Sequence, residues 1–240
     1  MIEAPTFLLQ DVLTKELEMP GTMPVVITVP HDGRSTTIEG QGIMRIPGGT
    51  PGDRNVRFIA KDMCRFVEEE VGSRPTLLID PIKRDRRWAT VPIFDAHVID
   101  AVGRVAETFE GSITHSPVLF DLHGFVNQPS FGYFDLILGT AHRKSTPSGI
   151  DVRFGDFMTE RGYVVYVPGE ACVEGELFSA ESPHTLTRQA AQNFPTVDCM
   201  QIEIHQDYRT VEGRERGVQL ARDMADFVVE YTAGNYFAQD

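Results

Sequence analysis

The stretch VLFDLHGF at 118–125 combines the start of a buried strand with a polar end. Its first three residues are β-branched, apolar and aromatic, as in a strand that is covered on both faces. An Asp, a His and a Gly occupy three of the next four positions, and none of them suits a hydrophobic core. The pattern predicts that this strand ends at a functional site.

Strands and helices alternate along the rest of the chain. Apolar runs predict strands over 24–30, 75–80, 117–123, 133–140, 162–169 and 197–205. Helical periodicity predicts helices over 53–72, 94–111, 150–162 and 213–232. Strands that alternate with helices of this length form a mostly parallel sheet with helices on both faces. We therefore predict one α/β domain over residues 1–240.

The composition argues against several classes of partner. The formal net charge is −13, which repels the phosphates of nucleic acids and the surface of anionic membranes. No window approaches the ~20 apolar residues of a membrane span, and the first residues lack the cationic region of a signal peptide. Cys64, Cys172 and Cys199 are far apart and odd in number, which argues against a disulfide framework. These features predict a cytoplasmic protein that binds neither nucleic acid nor membrane.

The predicted helix over 53–72 has recognisable ends. Asp53 stands where an N-cap residue is expected, and Gly72 is a typical helix C-terminus. The preceding segment GQGIMRIPGGTPG at 40–52 is too rich in Gly and Pro for a helix or a strand. Long loops that follow strands in such folds often carry functional residues. The end of this loop lacks the Lys-Ser/Thr pair of a P-loop, which argues against a phosphate-binding protein.

Three predicted strands end in residues that are able to do chemistry. The first is followed by His31, the central one contains His123, and the late one carries Glu203 and His205. Ligands of parallel α/β proteins bind at the carboxyl ends of the strands, so these side chains are expected to face one region. Two imidazoles, a carboxylate and water form the ligand set of a catalytic zinc ion. Taken singly, each histidine is more typical of a structural residue in a turn, but their parallel settings together favour a metal site. Gly124 would then allow the chain to turn close to the metal.

Strand alternation gives Asp121 and Glu203 their predicted places. Asp121 lies two residues before His123, so both side chains point to the same face of an extended strand. It is expected either to orient the imidazole of a metal ligand or to cap the turn. Glu203 alternates with apolar neighbours, which is typical of a strand with one face in water. If the strand is central, both faces are covered and the carboxylate requires a paired or functional reason to be there.

With these residues identified, the sequence resembles the N-formylglutamate amidohydrolase family, zinc-dependent amide hydrolases whose fold is similar to that of the zinc carboxypeptidases. The matching blocks follow one another in order: VPHDG at 29–33, GDRNVRFIA at 52–60, LLIDPIKRDRR at 77–87, FDAHVIDAV at 94–102, LFDLHGF at 119–125, GYFDLILGT at 132–140, SPHTLTRQ at 182–189 and QIEI at 201–204. Each block alone is moderately specific, and their order and spacing carry the likeness. The resemblance implies a three-layer αβα fold with a mostly parallel mixed sheet.

The resemblance implies Zn2+ held by His31 and His123, with an acidic ligand between them in the sequence. Asp53 is the family-like candidate, and Glu39 competes with it because carboxypeptidase-like sites place a Glu shortly after the first His. The residue three after His31 is an Arg, so the short His-x-x-Glu spacing is absent and the acidic ligand stays open. Glu203 matches the family's strand-borne acid and is implied to be the general base toward a zinc-activated water.

The family's amide substrates carry carboxylates, and Arg84 and Arg188 match its cationic positions. A guanidinium suits a planar carboxylate because it can donate two parallel hydrogen bonds. Each Arg is otherwise explained as a solvated side chain, and IKRDRRWA at 82–89 replaces the family's usual Asn-Arg pair. His97 is expected to be a packing or helix-end residue. The resemblance thus implies hydrolysis of an N-acylated, carboxylate-bearing amide. The alternatives are a peptidase acting on a γ-glutamyl or cell-wall polymer, and a non-catalytic binding protein.

Overall fold

The computed structural model describes residues 18–31, 55–80, 92–111, 115–126, 132–167 and 178–236. In these ranges seven strands form one sheet: β1 Glu18–Met19, β2 Val25–Val29, β3 Thr76–Ile79, β4 Val118–Phe125, β5 Leu136–Gly139, β6 Val165–Tyr166 and β7 Asp198–His205. Five α-helices accompany them: α1 Val56–Val71, α2 Pro92–Phe109, α3 Ile150–Glu160, α4 Leu186–Asn193 and α5 Arg214–Tyr236. A short 3₁₀ helix spans Gln206–Tyr208.

The centre of the sheet is parallel. The strands lie in the order β1-β3-β2-β4-β7-β5-β6. Neighbours among β3, β2, β4 and β7 are parallel, whereas β1 is antiparallel to β3, β5 is antiparallel to β7, and β6 is parallel to β5. The predicted mostly parallel, mixed sheet is confirmed. Because β2, β4 and β7 run in the same direction, their carboxyl ends share one edge of the sheet.

Helices cover both faces of the sheet. On one face, α1, α3 and α5 pack on side chains such as Phe120 of β4, whose ring lies 5.9 Å from that of Phe154 and 6.5 Å from that of Phe227. On the other face, α2 and α4 pack on side chains such as Leu119 of the same strand. Alternate residues of one strand therefore enter two separate cores, and burying each such side chain stabilises the fold by about 1.5–3 kcal/mol. The three-layer αβα architecture is confirmed.

The start of α1 differs from its prediction. Its N-cap is Asn55, so the expected N-cap role of Asp53 was wrong, and Asp53 itself lies outside the described residues. Asn55 adopts a left-handed backbone with φ of 70°, and its side-chain amide donates to the Arg209 carbonyl at 2.5 Å instead of capping the helix. The C-terminal prediction is confirmed, because Gly72 ends α1 with φ of 69° and donates its N–H to the Glu68 carbonyl at 2.9 Å.

Two elements of the fold were not predicted, the short strand β1 and the helix α4. The helix begins after Thr185, whose hydroxyl accepts the backbone N–H of Arg188 at 3.4 Å, an N-cap contact. At 8 residues, α4 is too short for its periodicity to stand out from the sequence.

None of the helices in the described ranges has the length and apolar composition needed to cross a membrane.

Candidate active site

The ends of β2 and β4 bring two histidines into contact. The strands are parallel neighbours, with Thr28 opposite Asp121. His31 follows β2 by two residues, and His123 lies near the end of β4. Their ring centroids are 4.8 Å apart, and the ring planes meet at 68°. Two largely buried imidazoles therefore meet at the carboxyl edge of the sheet, and their role as metal ligands stays a prediction.

Glu203 lies next to His123, on the neighbouring strand β7. In the parallel ladder of β4 and β7, His123 is opposite Glu203, so the two side chains share a face. Every residue of β7 is buried, because the strand lies between β4 and β5 and is covered on both sides. The interpretation of Glu203 as a solvent-facing residue is therefore wrong. The Gln201 side-chain amide donates to Glu203 Oε1 at 2.8 Å and fixes the carboxylate.

Asp121 supports His123 from within the same strand. Its Oδ1 lies 3.1 Å from His123 Nε2, although the two atoms are not aligned as a hydrogen bond. Its Oδ2 accepts a hydrogen bond from the Thr187 hydroxyl of α4 at 2.9 Å. Asp121 lies inside β4, so the alternative of a turn cap is wrong. A carboxylate at this distance from Nε2 is placed like the outer carboxylates that orient metal-binding imidazoles.

The donor set fits a zinc site only in part within the described residues. No group of three His, Cys, Asp or Glu side chains in the described ranges is arranged to hold a metal ion. The two acidic candidates, Asp53 and Glu39, both lie outside those ranges. The two imidazoles in contact, one of them backed by a carboxylate, are nevertheless donors that suit Zn2+. These residues fit a metal held by His31 and His123 and completed by a further ligand.

Of the two predicted substrate-binding arginines, the structure describes Arg188. It lies in α4, one residue after Thr187, whose hydroxyl binds Asp121. Its side chain is half-buried and forms no ion pair or hydrogen bond with the residues that the structure describes. A guanidinium in that state can receive a carboxylate without first breaking an ion pair. Arg84 lies outside the described residues.

The thiols offer no competing nucleophile in the described part of the chain. Cys64 and Cys199 are buried and free, and Cys172 lies outside that part. Burial raises the pKa of the Cys64 thiol to about 12 and raises the pKa of the Cys199 thiol well above its ordinary value. The thiolate is the reactive form of cysteine, so these two residues are inert.

Two further histidines have structural partners. The Nε2 atom of His97 in α2 lies 2.9 Å from the Glu18 carboxylate of β1, so the side chain bridges the helix and the edge strand. His205 ends β7, and its Nδ1 accepts the Asp207 backbone N–H at 3.3 Å. Its ring lies 5.2 Å from that of Phe125. Burial lowers the pKa of His205, so the imidazole is neutral at pH 7.

Gly124 has a different role from the one first expected. The predicted reason for this glycine was a turn close to the metal, yet β4 continues through Phe125. The guanidinium of Arg209 fills the space beside it, since an added Cβ at Gly124 would lie 2.3 Å from Arg209 Cζ. The prediction of a turn was therefore wrong. The residue that requires a glycine here is Arg209, which is distant in the sequence.

Sequence reasoning missed three residues that support the site: Thr187, Gln201 and Arg209. The strand alternation already placed Gln201 on the same face as Glu203, and the structure adds the hydrogen bond between them. Thr187 was missed because its helix was not predicted. Arg209 lies in the polar segment QDYRT at 206–210, where nothing in the sequence separates it from a solvated side chain.

No protein-family model matches the chain, and no curated protein is detectably similar to it in sequence. Several solved structures resemble it. N-formylglutamate amidohydrolase from Ralstonia eutropha JMP134 superimposes with a TM-score of 0.58 at 15% identity, over 90% of this chain and 97% of that one. A gene product from Agrobacterium tumefaciens gives 0.50 at 10% identity, over 89% and 93%. A metallo-carboxypeptidase from Pseudomonas aeruginosa gives 0.40 at 10% identity, over 87% and 56%. At such identities the likeness shows the fold alone.

Proposed function

We propose that the chain is a zinc-dependent amidohydrolase that cleaves the amide of an N-acylated, carboxylate-bearing substrate, with N-formylglutamate as the nearest model. One observation carries the proposal. His31 and His123 touch at the carboxyl edge of the sheet, and Glu203 lies opposite His123 on the next strand. The fold, which resembles that of an N-formylglutamate amidohydrolase, supports the same chemistry.

His31 and His123 would hold the metal, with Asp53 or Glu39 as the acidic ligand. When bound, Zn2+ would polarise the scissile carbonyl and lower the pKa of water toward ~7. Asp121, 3.1 Å from Nε2, would orient the His123 imidazole, and the Thr187 hydroxyl donates a hydrogen bond to Asp121. Such outer carboxylates keep the ligand ring correctly placed and strengthen its basicity.

Glu203 would act as the general base and then as the general acid. Its burial and the hydrogen bond from Gln201 restrict the carboxylate to one position beside His123. From there it would take a proton from the attacking water and return it to the departing nitrogen. A positioned carboxylate of this kind typically contributes ~10²–10⁴-fold to the rate. Neither buried cysteine can replace it, because both thiols stay protonated.

Arg188 would receive the substrate carboxylate, with Arg84 as the second cationic candidate. Its neighbour in α4, Thr187, contacts the Asp121 beside His123, so the helix that carries Arg188 packs next to the candidate site. In a chain of net charge −13, a cation without a partner among the described residues is the natural receiver of an anionic substrate. We therefore expect substrates that lack a carboxylate to be poor.

The proposal is tested by an assay with metal-stripped and zinc-reloaded protein. The substrates are N-formylglutamate, N-acetylglutamate and N-formylaspartate, with N-formylglutamate dimethyl ester as the matched control that lacks free carboxylates. We expect turnover of at least one acid, loss of turnover in the stripped protein, and recovery on zinc addition. Zinc-loaded protein that turns over none of them would overturn the substrate class.

A further inference from the structure

Arg209 contacts three separate elements of the fold. It follows the 3₁₀ helix after β7, and only 8% of its surface is exposed. Its Nε donates to the Ile204 carbonyl at 3.1 Å, and its Nη2 donates to the Phe125 carbonyl at 2.9 Å. Its own carbonyl accepts the Asn55 amide at 2.5 Å. One residue therefore joins the ends of β4 and β7 and the start of α1.

The two strand ends held by Arg209 are those that carry the candidate catalytic pair. Phe125 lies two residues after His123 in β4, and Ile204 lies next to Glu203 in β7. His123 and Glu203 are opposite each other one rung before the guanidinium contacts. His123 and Glu203 therefore lie two residues and one residue before the carbonyls that Arg209 binds.

The third contact reaches the element expected to supply the acidic ligand. Asn55 is the N-cap of α1, and Asp53 precedes it by two residues in the sequence. The bond from Asn55 to the Arg209 carbonyl anchors this helix start to the segment that follows β7. The same residue thus connects the chain next to Asp53 with the strands that carry His123 and Glu203.

The packing around Arg209 requires both a guanidinium and a glycine. A planar guanidinium can donate to two carbonyls in a fixed fork, and the ammonium of a lysine cannot reproduce that geometry. Gly124 leaves room for it, since an added Cβ would stand 2.3 Å from Arg209 Cζ and 2.5 Å from Nη1. Gly124 pairs with Ile204, whose side chain belongs to the core under α1 and α5. The guanidinium therefore lies behind the strands, on the face opposite His123 and Glu203.

We propose that Arg209 is a positioning residue that fixes the spacing of His123 and Glu203 by clamping the ends of β4 and β7. The catalytic part of this inference rests on the proposed function. The guanidinium lies on the opposite face of the strands and donates to their backbone carbonyls, so Arg209 acts on the pair through the backbone of β4 and β7. Charge-assisted hydrogen bonds to two carbonyls are strong enough to hold such a spacing. A displacement of about 1 Å at a reacting centre can cost ~100-fold in rate.

Two substitutions disturb the clamp in independent ways. Arg209→Lys keeps the charge but removes the fork. Gly124→Ala keeps the arginine and displaces its guanidinium. Each has a matched control: Arg216→Lys changes an exposed guanidinium that donates to the Asp207 carbonyl at 3.3 Å. Gly155→Ala adds a Cβ whose nearest neighbour is Leu138 Cδ1 at 3.8 Å.

The first measurement is amide hydrogen exchange, followed by mass spectrometry of peptides that cover 118–126 and 198–206. We expect both clamp variants to remain folded, to exchange at least ~10-fold faster in these two peptides, and to exchange at the wild-type rate in the rest of the chain. The controls should match the wild type. This experiment needs neither metal nor substrate. Unchanged exchange at the two strand ends in folded clamp variants would overturn the clamp.

The second measurement links the clamp to catalysis. In zinc-loaded protein, we expect both clamp variants to lower kcat by ~10–100-fold with KM changed little, because the defect lies in the reacting groups. Zinc affinity, measured by chelator competition, should fall in parallel. Faster exchange with kcat and zinc affinity at wild-type values would overturn the positioning role. An inactive, zinc-free wild type would instead overturn the proposed function and leave the exchange result to decide the clamp.

Discussion

Two neighbouring strands of the sheet each bury a carboxylate, and only one of the two lies beside a histidine of the candidate active site. Asp121 in β4 and Asp198 at the start of β7 are both fully buried. Asp121 lies beside His123, whereas Asp198 accepts hydrogen bonds from the backbone N–H and the hydroxyl of Ser148. The comparison shows that a buried acid becomes a candidate for chemistry through the imidazole next to it, since burial alone is common to both.

Asp198 binds the end of a loop whose backbone is strained. The chain after β5 passes through three consecutive residues in the left-handed region, Ala141, His142 and Arg143, with φ of 48°, 56° and 64°. Such backbone is costly for residues other than glycine, at ~1–3 kcal/mol each where it is strained. The Asp198 contacts at Ser148 hold the far end of this loop against β7. We therefore assign Asp198 a structural role.

The strongest predicted loss of activity comes from changing the carboxylate near the end of β7, and the carboxylate at its start serves as the comparison. Glu203→Gln and Asp198→Asn both replace a buried carboxylate by an amide in the same strand. We expect Glu203→Gln to lower kcat by ~10²–10⁴-fold because the amide cannot take a proton from water. Asp198→Asn should leave kcat unchanged, and zinc content should be the same in both proteins. Steady-state kinetics on the reloaded enzymes checks this, and an active Glu203→Gln variant would remove Glu203 from the mechanism.

A smaller effect is expected when the supporting carboxylate is changed. Asp121→Asn keeps the shape of the side chain and removes the negative charge beside His123. We expect the dissociation constant for Zn2+ to rise by ~10–100-fold, as is typical when a carboxylate behind a metal-bound histidine is lost. Competition with a chromophoric chelator measures it, with Asp198→Asn as the control. Equal affinities in the two variants would mean that Asp121 does not support a ligand.

The next effect concerns substrate recognition. Arg188→Met removes the guanidinium of α4, and we expect KM for N-formylglutamate to rise by ~10-fold or more, since a charge-assisted hydrogen bond contributes about 1.5–3 kcal/mol. kcat should change little if the contact is equal in the ground and transition states. The control is Arg143→Met. It removes a guanidinium whose Nε lies 3.4 Å from Asp151 Oδ2. A KM that does not move would assign the carboxylate to another cation.

The smallest effect is a change in the pH dependence of stability. Burial raises the pKa of Asp198 above its usual 3.8, against the lowering effect of the Ser148 hydrogen bonds. Ionised Asp198 therefore lowers the free energy of unfolding, and this loss grows as the pH rises from 3.8 through the raised pKa. Asp198→Asn should lack that component, while the loss of one hydrogen bond costs about 1 kcal/mol.

Urea unfolding of both proteins across this pH range checks the prediction. The stability of the variant relative to the wild type should rise with pH and then level off. A difference that stays constant with pH would show that the carboxylate ionises as freely in the fold as in the unfolded chain.

The strand-borne part of the candidate site was predictable from sequence for a physical reason. Parallel strands end at one edge, so residues that follow or end apolar runs, such as His31, His123 and Glu203, are brought together by topology alone. The sheet itself was predictable because β-branched and apolar runs alternate with amphipathic helices. These signals are local in the sequence, and the sheet topology brings the residues that carry them to one site.

The remaining part depends on contacts between distant segments. Arg209 reaches Gly124 and two backbone carbonyls only after β4, β7 and α1 are assembled, so no pattern marks it. Thr187 lies on a helix too short to show periodicity. Asp53 was expected as the N-cap of a helix whose N-cap is instead Asn55, which has a left-handed backbone and donates its side-chain amide to the distant Arg209 carbonyl.

Whether His31 and His123 hold a metal ion is decided by the metal content of the protein. The measurement is plasma mass spectrometry of the purified wild type and of His123→Ala. The control is His97→Ala, which changes a histidine whose Nε2 lies 2.9 Å from the Glu18 carboxylate. We predict about one Zn2+ per chain in the wild type and in the control, and none in His123→Ala. Absence of zinc from all three after incubation with excess metal, or full zinc content in His123→Ala, would contradict the claim.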